Sequence, residues 1–113
     1  MSDVIPRSGN SKNAKYAYIN ASASGATQAV AAPGATSKIR VLALNIVTTA
    51  ENTVKFRSGT TDITATTPLV ALGGIVLPFN EHGWFECAKG EALNFSQSVA
   101  TACAVNLVYT IVD

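Results

Sequence analysis

After residue 14 a period of two dominates this chain, and no window of eleven or more residues carries a convincing helical stripe. From Cys103 to Ile111, one parity holds Cys103, Val105, Leu107, Tyr109 and Ile111. The other holds Ala102, Ala104, Asn106, Val108 and Thr110. Successive strand side chains point to opposite faces, so this stretch reads as a long strand with one core face and one lighter face. Lys38 to Thr49 is β-branched and apolar on both parities, which predicts a central strand covered on both faces. Thr53 to Ser58 places Val54 and Phe56 inward and Lys55 and Arg57 outward.

Turn signals punctuate the rest. Ser22-Ala23-Ser24-Gly25 separates Tyr16 to Ala21 from Thr27 to Ala31, and Ser58-Gly59-Thr60 leads into Thr61 to Ala65. Thr66-Thr67-Pro68 breaks that run, and Gly73-Gly74 introduces Ile75-Val76-Leu77, which Pro78 ends. Ala21 to Ala35 is rich in alanine, but Gly25, Pro33 and Gly34 interrupt any helix there. About eight segments at roughly 8- to 12-residue spacing predict an all-β fold, an antiparallel β-sandwich or jelly roll. Trp84 to Ala88 and Ala92 to Val99 read as a strand pair. A three-residue loop, Ala88-Lys89-Gly90, sets Phe85 opposite Leu93 and requires Gly90 to take a positive φ as a bulge. The polar stretch 1–14, with Pro6, Gly9 and Asn10-Ser11-Lys12-Asn13, reads as a flexible or extended arm, and residues 15–113 as a single domain.

Composition narrows the function classes. Ala, Thr, Ser and Gly fill 47 of 113 positions, and only 13 % of residues are charged, against roughly 25 % in an ordinary soluble domain. The net charge of +1 leaves no basic footprint for nucleic acid. No apolar run exceeds four residues, too short to span a membrane, and the first residues show no signal-peptide pattern. Cys87 and Cys103 are expected to be made as thiols in a reducing cytosol and to be buried structural residues, with a cross-strand disulfide as the alternative.

Catalytic groups are scarce. A Ser-His-Asp or Cys-His relay would have to run through His82, the single histidine, which sits in the loop-like segment Pro78 to Trp84. Glu81, Glu86 and Glu91 are the nearest carboxylate cluster, and solvated edges and turns explain them better than a glycosidase pair. No Cys or His spacing suits a metal, and Gly73-Gly74 precedes no helix, so no cofactor is expected. The aromatics say more. Phe79, Trp84 and Phe85 fall close together, and Trp84 has the parity opposite to Phe85. Trp84 beside Phe79, Glu81 and His82 therefore reads either as a contact surface or as a cap on the sandwich end. Tyr16 and Tyr18 share one parity and belong either to the core or to an interface.

The segments Gly73-Gly74-Ile75-Val76-Leu77-Pro78-Phe79-Asn80, Gly83-Trp84-Phe85-Glu86 and Gly90-Glu91-Ala92-Leu93, with Lys38-Ile39-Arg40-Val41-Leu42 and Val54-Lys55-Phe56-Arg57-Ser58-Gly59-Thr60 before them, resemble small β-sandwich virion proteins of tailed bacteriophages. The resemblance runs from Lys38 to Asp113. It implies a structural role: a capsid decoration (cement) protein, commonly a homotrimer, that binds the major capsid protein on the head surface. It carries over no active-site residue. The candidate interface is Tyr16, Tyr18, Phe79, Glu81, His82 and Trp84. The alternative expectation is a carbohydrate- or receptor-binding module of a fibre or tail, with Trp84 as its stacking ring.

Overall fold

The computed structural model describes residues 14–113, and these form ten β-strands and no helix. In chain order the strands are β1 (Lys15–Ala21), β2 (Gly25–Val30), β3 (Lys38–Thr48), β4 (Asn52–Ser58), β5 (Thr61–Asp62), β6 (Thr67–Leu69), β7 (Gly74–Leu77), β8 (Phe85–Glu86), β9 (Leu93–Gln97) and β10 (Cys103–Val112). The expected arm lies outside the described residues except for Ala14.

All pairing is antiparallel, in two sheets. Sheet A has the order β1-β10-β3-β7, with β8 also on β3, and sheet B has the order β2-β9-β4-β5, with β6 also on β4. The short strands occupy shared positions. β7 and β8 lie end to end along one edge of β3, and β5 and β6 do the same along β4. The ten segments therefore fill eight strand positions, four per sheet. With β1 and β2, β3 and β4, and β9 and β10 each crossing between the sheets, this is jelly-roll connectivity.

The alternation seen in the sequence builds the core. Ile19, Ile39, Val41, Leu44, Ile46, Val105 and Leu107 of sheet A pack against Val30, Val54, Phe56, Leu93 and Phe95 of sheet B. Phe56 stacks at 5.2 Å on Phe85 across the sheets and meets Phe95 edge-on at 5.5 Å. Polar plugs close both ends of this layer. At one end Asn52 Nδ2 donates to Gln97 Oε1 (2.9 Å), and Gln97 Nε2 donates to the carbonyls of Ala23 and Thr101. Asn52 Oδ1 accepts from the Ser98 hydroxyl and the Val99 N–H. At the other end the Ser58 hydroxyl donates to Glu91 (2.5 Å) and accepts from the Ala88 N–H (2.8 Å). Asn52, Val54, Phe56 and Ser58 all face inward on β4, so one strand presents a polar, apolar, apolar, polar series to the core.

Four expectations change. Phe85 and Leu93 do not pair: β8 joins β3 in sheet A, whereas β9 joins β2 and β4 in sheet B. Gly90 does take a positive φ of 76°, but in a turn that carries the chain between sheets, its N–H bonded to the Ser37 carbonyl. Strand β3 is central but covered on one face only, since Asn45 and Val47 are exposed on the other. Its apolar double parity instead reflects a bulge. Val108 pairs with Ala43 and Tyr109 with Val41, so Leu42 is the extra residue and is fully buried outside the main core cluster. Pro68 stands inside β6 rather than ending a strand, tolerated because β6 is an edge.

The Asn52 plug gives a first prediction. Asn52→Ala strands the Gln97 carbonyl oxygen and the Val99 N–H, and denaturant unfolding should show a loss of about 2–4 kcal/mol. The exposed-face control Asn45→Ala should stay within about 0.5 kcal/mol of wild type. Equal stability of the two variants would remove the plug from the account.

Candidate functional face

Sheet A's outer surface is assembled from the light parities of its strands. Register aligns Tyr16 with Val108 and Ala43, then Tyr18 with Asn106, Asn45 and Val76, then Asn20 with Ala104, Val47 and Gly74. These three rows contain no charged residue. Tyr16 and Tyr18 are 63 % and 64 % exposed, and Val47 and Val76 are also open to solvent. Small residues in the middle keep the face low, with a dent of about 160 Å³ beside Tyr16. The Tyr16 hydroxyl donates to Asn106 Oδ1 (2.5 Å), which pins its ring across β10. The two tyrosine rings are 6.2 Å apart and tilted by 36°.

Gly74 explains how β7 lies so close to β3. A Cβ there would fall 1.9 Å from the Ile46 carbonyl oxygen. Just before it, exposed Val70 and Leu72 cross from sheet B, and Leu72 holds a left-handed φ of 62°, a costly conformation for a leucine. Val47, Val76, Val70 and Leu72 were not singled out in the sequence. The signal for Val47 and Val76 is apolar character on an outward parity, whereas Val70 and Leu72 lie in the turn between β6 and β7, where parity gives none.

Charges lie elsewhere. Beyond the bulge, Lys38 and Arg40 of β3 grip Glu86 of β8 at 3.0 and 2.5 Å. On sheet B, Lys55 and Arg57 of β4 share Asp62 of β5, both at 3.0 Å. Burial opposes ionisation of Glu86, but its bonds to Lys38 and Arg40 outweigh that and hold its carboxyl below the ordinary value of 4.5. Asp62 is likewise held low, chiefly by its hydrogen bond to Lys55.

The aromatic segment forms the connection between β7 and β8 at the far edge of the same sheet. Asn80 N–H donates to the Leu42 carbonyl and Trp84 N–H to the Val41 carbonyl, so the bulge on β3 is the anchor of this loop. Gly83 has a φ of 86°, and any Cβ there would strike the Arg40 stem. Phe79, Glu81 and His82 are exposed. Trp84 is 42 % exposed, its indole N–H bonded to the Pro78 carbonyl (2.8 Å). Its ring borders a cleft of about 310 Å³ where the sheets part between β7 and the β5–β6 edge. The structure therefore divides the candidate residues. Tyr16 and Tyr18 sit on the edge strand β1, and Phe79, Glu81, His82 and Trp84 lie across the sheet beyond β10 and β3.

Glu86 of β8 is engaged by two cations, and Glu91, in the connection between β8 and β9, by Ser58. Both cysteines are free, buried thiols, and burial pushes each upward from the usual thiol range. Among the described residues no group of three or more His, Cys, Asp or Glu side chains is placed to hold a metal ion.

No protein-family model and no curated protein matches the sequence. Among solved structures, the chain is similar to the nucleoplasmin-like N-terminal domain of Drosophila FKBP39, with a TM-score of 0.50 and 16 % identity over 89 % of this chain and 91 % of that one. The likeness concerns the β-fold.

The Glu86 trio sets an acid limb. A carboxyl with a lowered native pKa stabilises the fold above its unfolded value near 4.5, and the contribution is lost as pH falls through the native value. Stability measured across pH 3 to 6 should fall on the acid side, and Glu86→Gln should flatten that fall. An unchanged slope in the variant would contradict it.

Proposed function

We propose that the protein is a structural virion subunit, a decoration (cement) protein that lies on the outer surface of a bacteriophage head and bridges capsid subunits. The observation that supports this reading most is the three charge-free rows of sheet A's outer face, from Tyr16 to Gly74. A charged side chain in a protein contact must be desolvated and paired, at several kcal/mol when the pairing fails. A face built of Tyr, Val, Ala and Asn escapes that cost, and the charges that keep a small protein soluble sit on sheet B and at the far end of sheet A.

The mechanism is non-covalent stapling. The subunit assembles with its own copies as a homotrimer and seats the charge-free face on the major capsid protein. Many weak contacts, repeated by symmetry, then act together through avidity. Phe79 and Trp84, carried on the β7–β8 loop at the edge of that face, extend the contact toward the neighbouring subunit. The role is non-enzymatic and needs no cofactor, nucleic acid or membrane, and its place is the virion.

The test mixes purified protein with capsids stripped of decoration. Co-sedimentation and a raised capsid melting temperature are expected, and Val47→Glu should weaken binding more than about tenfold by placing an unpaired charge in the contact. Separate sedimentation with unchanged capsid stability would refute the reading.

A further inference from the structure

Sheet B's outer face holds a feature that assembly through sheet A does not use. Ser96 of β9 is 8 % exposed, and its hydroxyl has no hydrogen-bond partner among the described residues. A buried hydroxyl without a partner is costly and uncommon in native structures. Ser96 lines a cavity of about 230 Å³ whose other walls are polar. Thr53 and Thr66 contribute hydroxyls that also lack side-chain partners among the described residues. Lys55 stands beside Ser96 in the register, and Arg57 lies one outward position further along β4.

The charge of this cavity is positive. Lys55 Nζ and Arg57 Nε each spend one donor on Asp62, which does not line the cavity. An ammonium has three donors and a guanidinium five, so most remain for another acceptor. One carboxylate facing two cations leaves a surplus positive charge. The hydroxyls are spread over two rows about 7 Å apart, at the rise of roughly 3.4 Å per strand residue. That spread suits a ring bearing several hydroxyls better than a compact anion. The volume equals about eight waters at ~30 Å³ each, the size of one sugar unit.

We propose that this cavity binds one carboxylate-bearing sugar unit, a hexuronic acid or its equivalent in a glycan. Lys55 and Arg57 take the carboxylate, and Ser96, Thr53 and Thr66 take the ring hydroxyls. Ala26, the β2 neighbour of Ser96, has no side chain long enough to fill the space above it. Lys55 also borders the cleft that Trp84 lines, but Ser96, Thr53 and Thr66 do not, and the capsid reading uses none of these three residues.

Titration of the full chain with glucuronate, glucose, acetate and inorganic phosphate, followed by NMR shifts, tests this. Glucuronate should bind in roughly the millimolar range, and glucose, acetate and phosphate at least about tenfold more weakly. Shifts should centre on Thr53, Lys55 and Ser96. Ser96→Ala and Lys55→Gln should each weaken glucuronate at least about fivefold, and Lys55→Gln, a surface change, keeps the test valid if Ser96→Ala fails to fold. Absence of glucuronate binding, equal binding of acetate or phosphate, or unchanged binding in the folded variants would overturn the proposal.

Discussion

Phe56 reaches across the sandwich to Phe85 and along its own sheet to Phe95, and on this contact the two sheets depend. The chain has few large side chains to bury, so the core is a single layer rather than a thick interior. A thin apolar layer leaves strand ends exposed to water at both ends. The Asn52–Gln97 and Ser58–Glu91 plugs close those ends, and both begin on β4, the strand that carries Phe56. The Asn52–Gln97 plug ties together the β1–β2 and β9–β10 connections and the Ser58 plug holds the β8–β9 connection, so sheet spacing and loop position are set by the same strand.

Economy of large residues also shapes the surface. With bulky side chains committed inward, the outward parities of β7 and of β3 and β10 on the near side of the bulge carry Ala, Asn, Gly and Val. The result is a low face on sheet A with its charges confined to one end, and a hydroxyl-rich, cationic face on sheet B. The two faces suit different partners. One offers a surface without charge to desolvate, and the other offers hydrogen bonds and a surplus positive charge.

The strand reading recovered much of this architecture, because parity is local. The inward sets Cys103, Val105 and Leu107, and Val54 and Phe56, stand where alternation places them. Sheet membership is not local. Alternation says that Phe85 and Leu93 face inward, but it cannot say that they do so from opposite sheets. Gly90 shows the same limit: its positive φ followed from the turn, whereas its role as a crossing between sheets did not. The polar residues of the plugs, Asn52 and Ser58, lay on the inward parity of β4, yet their partners come from loops distant in sequence. For the candidate face, Tyr16 and Tyr18 were visible as a pair on one parity, left open between core and interface, and Trp84 by its parity opposite to Phe85. Val47 and Val76 needed register to join them, and Ser96 needed burial to stand out.

In the proposed assembly, sheet A's outer face is the surface that becomes covered. Hydroxyl-radical footprinting of the free protein and of the capsid-bound protein measures this side chain by side chain. Labelling of Tyr16, Tyr18 and Val76 should fall sharply on assembly, while Lys55 and Arg57 on sheet B keep their free-state labelling. Unchanged labelling of the tyrosines, with protection on sheet B instead, would contradict it.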